Sequence, residues 1–215
     1  AYTNRGNAHA RLGEHELALA DYAKALELDP EDALAYANRA TVYMRQDRLD
    51  DALADYTEVL RLTPDDARAH SNRGTLLARL GEYERALADL DRAVELNPRM
   101  ARAWMHRGNV HRDLNHLDQA LADFNRALEL DESLILARYE RALLLEDPQA
   151  ARADYDALLE REPNHLGARL NRALLLADAG ERLAALDDLE VVLGHDANQL
   201  PARLLRAQIL VEQGD

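Results

Sequence analysis

Apolar residues recur along this chain with a helical period rather than a strand period, and the pattern is clearest over residues 101–132, ARAWMHRGNVHRDLNHLDQALADFNRALELDE. The stretch reads as two short amphipathic helices, neither of which can bury its apolar face alone. Trp104 and Phe124 fall where a helix pair needs large wedges, and Gly108, Ala120 and Ala127 where it needs small contacts. Similar blocks flank it at a period of 34 residues: Pro30, Pro64 and Pro98 mark equivalent turns between blocks, and Gly6, Ala40, Gly74 and Gly108 equivalent helix contacts.

This recurring set of positions resembles the tetratricopeptide repeat family along almost the whole chain. The resemblance implies an all-α fold, a right-handed superhelical solenoid of antiparallel helix pairs. In that family the first helices line a concave groove, the second helices face outward, and the groove binds extended peptides or partner helices. The chain is read as a single array with repeats at about 1–32, 33–66, 67–100, 101–134, 135–165 and 166–199, plus a half-repeat or capping helix over 200–215. Both ends fall inside repeats, so the reading expects a truncated array, a piece of a longer one or of a multidomain protein.

The first repeat enters at Ala1-Tyr2, turns at Leu12-Gly13-Glu14, and places Ala18, Tyr22 and Ala25 inward from a second helix over residues 14–28. That helix is expected to stop at Asp29-Pro30, because proline disfavours helical geometry at the residue before it. The second repeat keeps Tyr36, Ala40, Tyr43, Ala52 and Tyr56 in matching slots, and the third keeps Gly74, Ala86 and Ala93. His70 and Leu90 stand where the family prefers aromatics and are assigned a core role. In the fifth repeat Glu146-Asp147-Pro148 brings Ala151 and Tyr155 three residues early, so a helix or its turn is shortened, either as a tolerated loop change or as a functional kink. The sixth restores the length with Ala173, Gly180, Ala185 and Leu189, and the chain closes on Gln213-Gly214-Asp215, the usual turn into a second helix.

One ladder is particular to this chain. Arg5, Arg39, Arg73, Arg107, Arg141, Arg172 and Arg206 recur on the first helices, and Asp21, Asp55, Asp89, Asp123, Asp154 and Asp188 answer on the second. In an antiparallel pair these lie at nearly the same height, which predicts an intra-repeat Arg–Asp pair in each complete unit, structural in role because every unit has it.

Composition narrows the function. A net charge of −14, from 26 basic and 40 acidic residues, argues against a general nucleic-acid binder and an anionic membrane surface. No apolar run approaches a membrane span and no signal segment opens the chain, so the protein reads as soluble. The absence of cysteine excludes disulfide and thiolate chemistry while leaving both a reducing cytosol and a periplasm open; the cytoplasm is the favoured compartment. His106, His111 and His116 are the densest histidine group, but a spacing of five turns each side chain away from the last on a helix, so no metal is expected. Paired acids such as Asp50-Asp51 and Asp187-Asp188 diverge on a helix, and no nucleophile or phosphate loop accompanies them. No catalytic residue and no cofactor are assigned.

What remains is recognition of another protein or peptide. The first helices of repeats one to four carry ten arginines (5, 11, 39, 45, 68, 73, 79, 102, 107 and 112) against the single acid Asp113, while acids crowd the second helices and turns. The reading is a scaffold or adaptor that binds an extended, acidic or carboxylate-bearing segment; the bland alternative is arginines that merely decorate a helix face. Asn4, Asn38 and Asn72 recur at one first-helix position, with Asn171 matching later, and the slot lapses at His106 and Glu140. Side-chain amides both donate and accept, so such a row can hold peptide backbone without reading sequence; solvated asparagines are the alternative. The row resembles the asparagine ladder of the O-linked N-acetylglucosamine transferase superhelix. Asn7, Asn38 and Arg68 also match three of the five positions of the carboxylate clamp of chaperone-binding tetratricopeptide domains, whereas Thr3 and Asn72 replace basic residues there. The expected groove is Asn4, Asn7, Asn38, Arg45, Arg68, Asn72, Arg79, Arg102, His106 and Asn109. Two other classes stay open: a self-assembly module and a targeting domain of a larger enzyme. For the former, Leu205, Ile209 and Leu210 are expected to be uncovered on the last helix and to support weak end-to-end association.

Overall fold

The structure, a computed structural model, describes residues 1–213, and the turn expected at Gly214-Asp215 lies outside them. Thirteen α-helices account for the described residues: α1 (Tyr2–Arg11), α2 (His15–Leu28), α3 (Ala33–Arg45), α4 (Leu49–Leu62), α5 (Ala67–Arg79), α6 (Tyr83–Leu96), α7 (Ala101–Asp113), α8 (Leu117–Leu130), α9 (Ile135–Leu144), α10 (Pro148–Arg161), α11 (Leu166–Asp178), α12 (Arg182–His195) and α13 (Leu200–Gln213). They form two compact units, one from Ala1 to Leu130 and one from Asp131 onward. In both, each odd-numbered helix packs on the even-numbered helix that follows it, and each pair packs on the next.

The turns inside the pairs explain the helix ends. Gly13, Asp47, Gly81, Asn115 and Gly180 all have φ between 59° and 79°, the left-handed conformation that closes a helix and that only glycine, asparagine and aspartate adopt cheaply. At the other end of the repeat, Asp32 and Asp66 cap α3 and α5 by accepting backbone N–H bonds, and Asp147 does the same for α10 inside the fifth pair.

Each pair is wedged by one large second-helix side chain. Tyr22, Tyr56, Leu90, Phe124, Tyr155 and Leu189 are all buried, and the small residues facing them make room. A Cβ added at Gly74 would lie 2.7 Å from the Leu90 side chain and 3.0 Å from the Ala86 carbonyl oxygen, so the helices approach as closely as they do only because that slot is empty.

Leu90 takes the core role assigned to it, and His70, its side chain 13% exposed, is packed in as well but spends both ring nitrogens on polar partners. Its Nδ1 lies 2.9 Å from the Asp89 carboxylate and its Nε2 2.9 Å from the Pro64 carbonyl oxygen. The equivalent side chains do the same: Trp104 donates to the Pro98 carbonyl, Arg138 to that of Glu132 and Arg169 to that of Pro163. From the third repeat to the sixth this first-helix slot ties a ring N–H or a guanidinium to the turn between repeats, whereas the first two repeats hold Tyr2 and Tyr36 there.

The shortened fifth repeat loses its residues from one helix. α9 has 10 residues against 13 in α3, α5, α7 and α11, whereas α10 keeps 14. The left-handed turn is replaced by an extended Leu145, the Asp147 cap and Pro148 in the first turn of α10, where a missing N–H costs nothing.

The open face of α13 is not the one expected from sequence. Leu205 and Ile209 are buried in a cluster with Ala173, Leu189 and Val192, and Leu210 is partly covered. A first helix uses these positions to pack on the preceding pair. The apolar side chains left outward are Leu200, Leu204 and Val211, all more than 60% exposed.

Candidate functional site

The Arg–Asp ladder fixes what the first helices can offer a ligand. In every complete pair the guanidinium grips the carboxylate through Nε and Nη2, from Arg5–Asp21 to Arg172–Asp188, at 2.6 to 2.8 Å. All six aspartates are buried, so these fork-to-fork bonds satisfy them where water cannot. The bond from Arg5 holds the Asp21 carboxyl below its usual range. Arg107 and Arg172 also reach back to Asp91 and Asp156 of the preceding pair, at 2.8 and 2.7 Å, and so staple neighbouring repeats. Cation–ring contacts flank the ladder, with Arg39 5.5 Å from the Tyr36 ring centroid and Arg107 4.7 Å from that of Trp104. The ladder arginines are thus braces, and any charge the first helices could offer a ligand falls to others.

Arg11, Arg45, Arg68 and Arg102 are those others: exposed, and without a carboxylate partner among the described residues. Arg79 differs, because its Nη2 bonds Asp47 at 2.7 Å in the turn of the preceding pair. Arg112, on the same helix as Arg102, bonds its neighbour Asp113 at 2.7 Å.

The asparagines split in the same way. Asn7 Oδ1 accepts from the Tyr22 hydroxyl at 2.7 Å and from Asn38 Nδ2 at 2.8 Å, so a second-helix phenol ties its own repeat to the next. Tyr56 repeats the device with Thr41, 3.2 Å away, and Asn72, and Tyr155 bonds Asn171. Burial pushes the Tyr155 hydroxyl up to about 12, so it stays a donor at neutral pH. The slot therefore holds asparagine where the preceding repeat has tyrosine, and it lapses at His106, where the preceding repeat has Leu90. Asn4, with no such partner, is exposed. Thr3, at a clamp position of the chaperone-binding domains, donates to Asp32 at 2.7 Å and is spent on the α3 cap.

Two clefts open between first helices of the first unit, in the same register two repeats apart. The cleft between α1 and α3 has a volume of about 420 Å³ and is lined by Asn7, Arg11, Tyr22, Asn38, Thr41 and Arg45. The cleft between α5 and α7, about 240 Å³, is lined by Thr75, Arg79, His106, Asn109, Arg112 and Asp113. Of the expected groove residues, these clefts gather Asn7, Asn38, Arg45, Arg79, His106 and Asn109; Asn4, Arg68, Asn72 and Arg102 lie outside them on the same helices. Arg11 and Thr41 line the first cleft without having been singled out as site residues, although each stands 34 residues from Arg45 or Thr75 and so carried the signal. Burial, reinforced by Arg102, pushes the His106 imidazole down to about 4 and keeps it neutral.

One histidine pair lies closer than a spacing of five along a helix would place it. His111 and His116 have ring centroids 5.8 Å apart, because α7 ends at Asp113 and the left-handed Asn115 folds the chain back until the His116 N–H meets the His111 carbonyl at 2.8 Å. Among the described residues no group of three or more histidines, cysteines or carboxylates is placed to hold a metal ion. No helix among them is long and apolar enough to cross a membrane.

The comparisons bear on this architecture. The tetratricopeptide repeat family model matches residues 37–95, 71–134 and 136–199, and a second model of the same description matches residues 1–32. Among solved structures, pilF of Pseudomonas aeruginosa is 25% identical over 96% of both chains, with a TM-score of 0.88. YrrB, described as a tetratricopeptide protein with an unusual peptide-binding site, is 25% identical over 86% of this chain and 97% of its own, with a TM-score of 0.70. A tetratricopeptide repeat protein of Parabacteroides merdae is 25% identical over 99% of this chain and 85% of its own, at 0.72. No curated protein matches the sequence. With family models covering nearly all of its repeats, and the helix pairs, wedges and turns to match, the chain belongs to the tetratricopeptide repeat family.

Proposed function

We propose that this interaction scaffold captures an extended, acidic or carboxylate-bearing peptide segment along the first helices of its first unit. The observation that carries the reading is the set of exposed, unpaired arginines Arg11, Arg45, Arg68 and Arg102, in a protein whose 40 acidic residues outnumber 26 basic ones and pair with most other arginines. Leaving four guanidinium groups on one run of first helices, beside a polar cleft, suits a ligand that brings its own carboxylates. Exposed Asn4 and Asn72, together with Asn38, Arg79, His106 and Asn109, supply amide and imidazole groups for the peptide backbone. YrrB, similar over most of its length, is described as having a peptide-binding site, and a peptide site on this chain accords with that.

The test is capture of peptides by the full chain from a synthetic array in which acidic residues are scanned through otherwise neutral ten-residue sequences. Preference for acidic members, lost at high salt and in Arg45→Ala and Arg68→Ala, supports the reading; capture indifferent to acid content and to both substitutions overturns it. A second reading, self-association, is favoured by the outward stripe of Leu200, Leu204 and Val211 on α13. Light scattering across a concentration series decides it, since a mass that stays at that of one chain at every concentration excludes it.

A further inference from the structure

The two clefts are the same construction filled with different chemistry, residue for residue: Asn7, Arg11, Tyr22, Asn38, Thr41 and Arg45 in one stand where Thr75, Arg79, Leu90, His106, Asn109 and Asp113 stand in the other. In the first cleft the polar groups satisfy one another, because Asn7 Oδ1 takes both the Tyr22 hydroxyl and the Asn38 amide. In the second the phenol is gone, its place taken by the fully buried Leu90. Thr75 gives its hydroxyl proton to the Ser71 carbonyl at 2.8 Å, which leaves its oxygen a lone-pair acceptor. Asn109 Oδ1 is buried and has no hydrogen-bond partner. A buried acceptor without a donor is costly, and the charged groups at the rim are already committed, Arg79 to Asp47 and Arg112 to Asp113.

We propose that the cleft between α5 and α7, lined by Thr75, His106 and Asn109, is a subsite for a primary carboxamide, the side chain of a glutamine or asparagine in the bound segment. A carboxamide brings two N–H donors for the two acceptors, Asn109 Oδ1 and Thr75 Oγ1, and a carbonyl oxygen for the N–H of the His106 ring. A carboxylate brings no donor, and an ammonium group meets the same burial and the same Arg102 charge that oppose an imidazolium here. The neutrality of His106 fits the same ligand, since burial and Arg102 oppose the cation. This inference rests on the groove reading and deepens it: the acidic preference belongs to the first cleft and to Arg68 and Arg102, and the carboxamide preference to the second.

The experiment scans each neutral position of an acidic ten-residue peptide captured by the full chain through Ala, Ser, Gln, Glu and Lys. One position should favour Gln over Ala, Glu and Lys by about tenfold. Asn109→Leu should erase that preference while capture of the acidic parent peptide persists, and His106→Leu should reduce it. Melting temperatures of both variants establish that they fold; Asn109→Leu loses an unpartnered polar atom and should melt no lower than the parent. Acidic capture with no Gln-preferring position, or a Gln preference that survives Asn109→Leu, overturns the carboxamide subsite alone. An array that captures no acidic peptide overturns the groove reading and this one together.

Discussion

Arg141 grips Asp154 through the same two bonds, 2.7 and 2.6 Å, as every other pair of the ladder, although thirteen residues separate them instead of sixteen. The deletion in the fifth repeat removed the last turn of α9 and its left-handed closure, all of it beyond the brace. The brace thus sets how the two helices face each other, and the turn has only to connect them.

The brace should be far more costly to break than to replace. Asp55→Ala strands the Arg39 guanidinium in a half-buried site and is expected to cost about 3–5 kcal/mol in urea unfolding. Replacing Arg39 and Asp55 together with leucine should cost clearly less, and equal losses would show that the two charges are not acting as a unit.

Stability should fall with acidity chiefly through one imidazole, with His111, which burial also lowers, adding in the same direction. His106 is held down to about 4 in the folded chain and returns to about 6.5 when unfolded, so only the unfolded state takes up a proton between those values. The contribution is fully present above pH 6.5 and is lost as pH falls through 4, by about 3 kcal/mol in all. Arg102, Arg79, Arg112 and Asp113 surround the ring, so the His106→Leu variant is the control. Its unfolding energy, compared at pH 7 and 4.5, should lack this part of the acid loss.

The asparagine slot should behave in two ways. Asn38→Ala removes the amide that shares Asn7 with Tyr22 and should lower stability by about 1 kcal/mol, whereas Asn4→Ala, on an exposed side chain, should leave the melting temperature unchanged. Sequence spacing groups these residues as one ladder because spacing records the slot and not its neighbour. The fold class and the Arg–Asp pairs were legible because both involve positions that recur from unit to unit. The phenol ties were not, since reading them requires asking which second-helix residue precedes which first-helix residue in the next unit. The exposed side of α13 was misread for a related reason: an amphipathic pattern tells that Leu205 and Ile209 are buried, and not against which neighbour.

The close approach at Gly74 should resist the mildest change. Gly74→Ala gains helix propensity of about 1 kcal/mol, but its methyl would meet the Ala86 carbonyl as well as Leu90, so the net effect should be a loss of about 1–2 kcal/mol. Thermal unfolding checks the sign.

On α13 the two stripes should separate cleanly. Ile209→Ser opens the cluster around Leu189 and should cost about 2–4 kcal/mol, while Leu204→Ser, on the outward side, should leave unfolding nearly unchanged. Chemical denaturation of the two variants side by side is sufficient.

The phenol ties also make the order of repeats matter. Excising residues 67–100 would splice the unit carrying Tyr56 onto the unit carrying His106, leaving the phenol facing an imidazole in place of Asn72. A chain assembled by duplicating and losing 34-residue modules can therefore shuffle its braces freely, because every module carries its own, but a shuffle that separates a tyrosine from the asparagine after it leaves a mismatched seam.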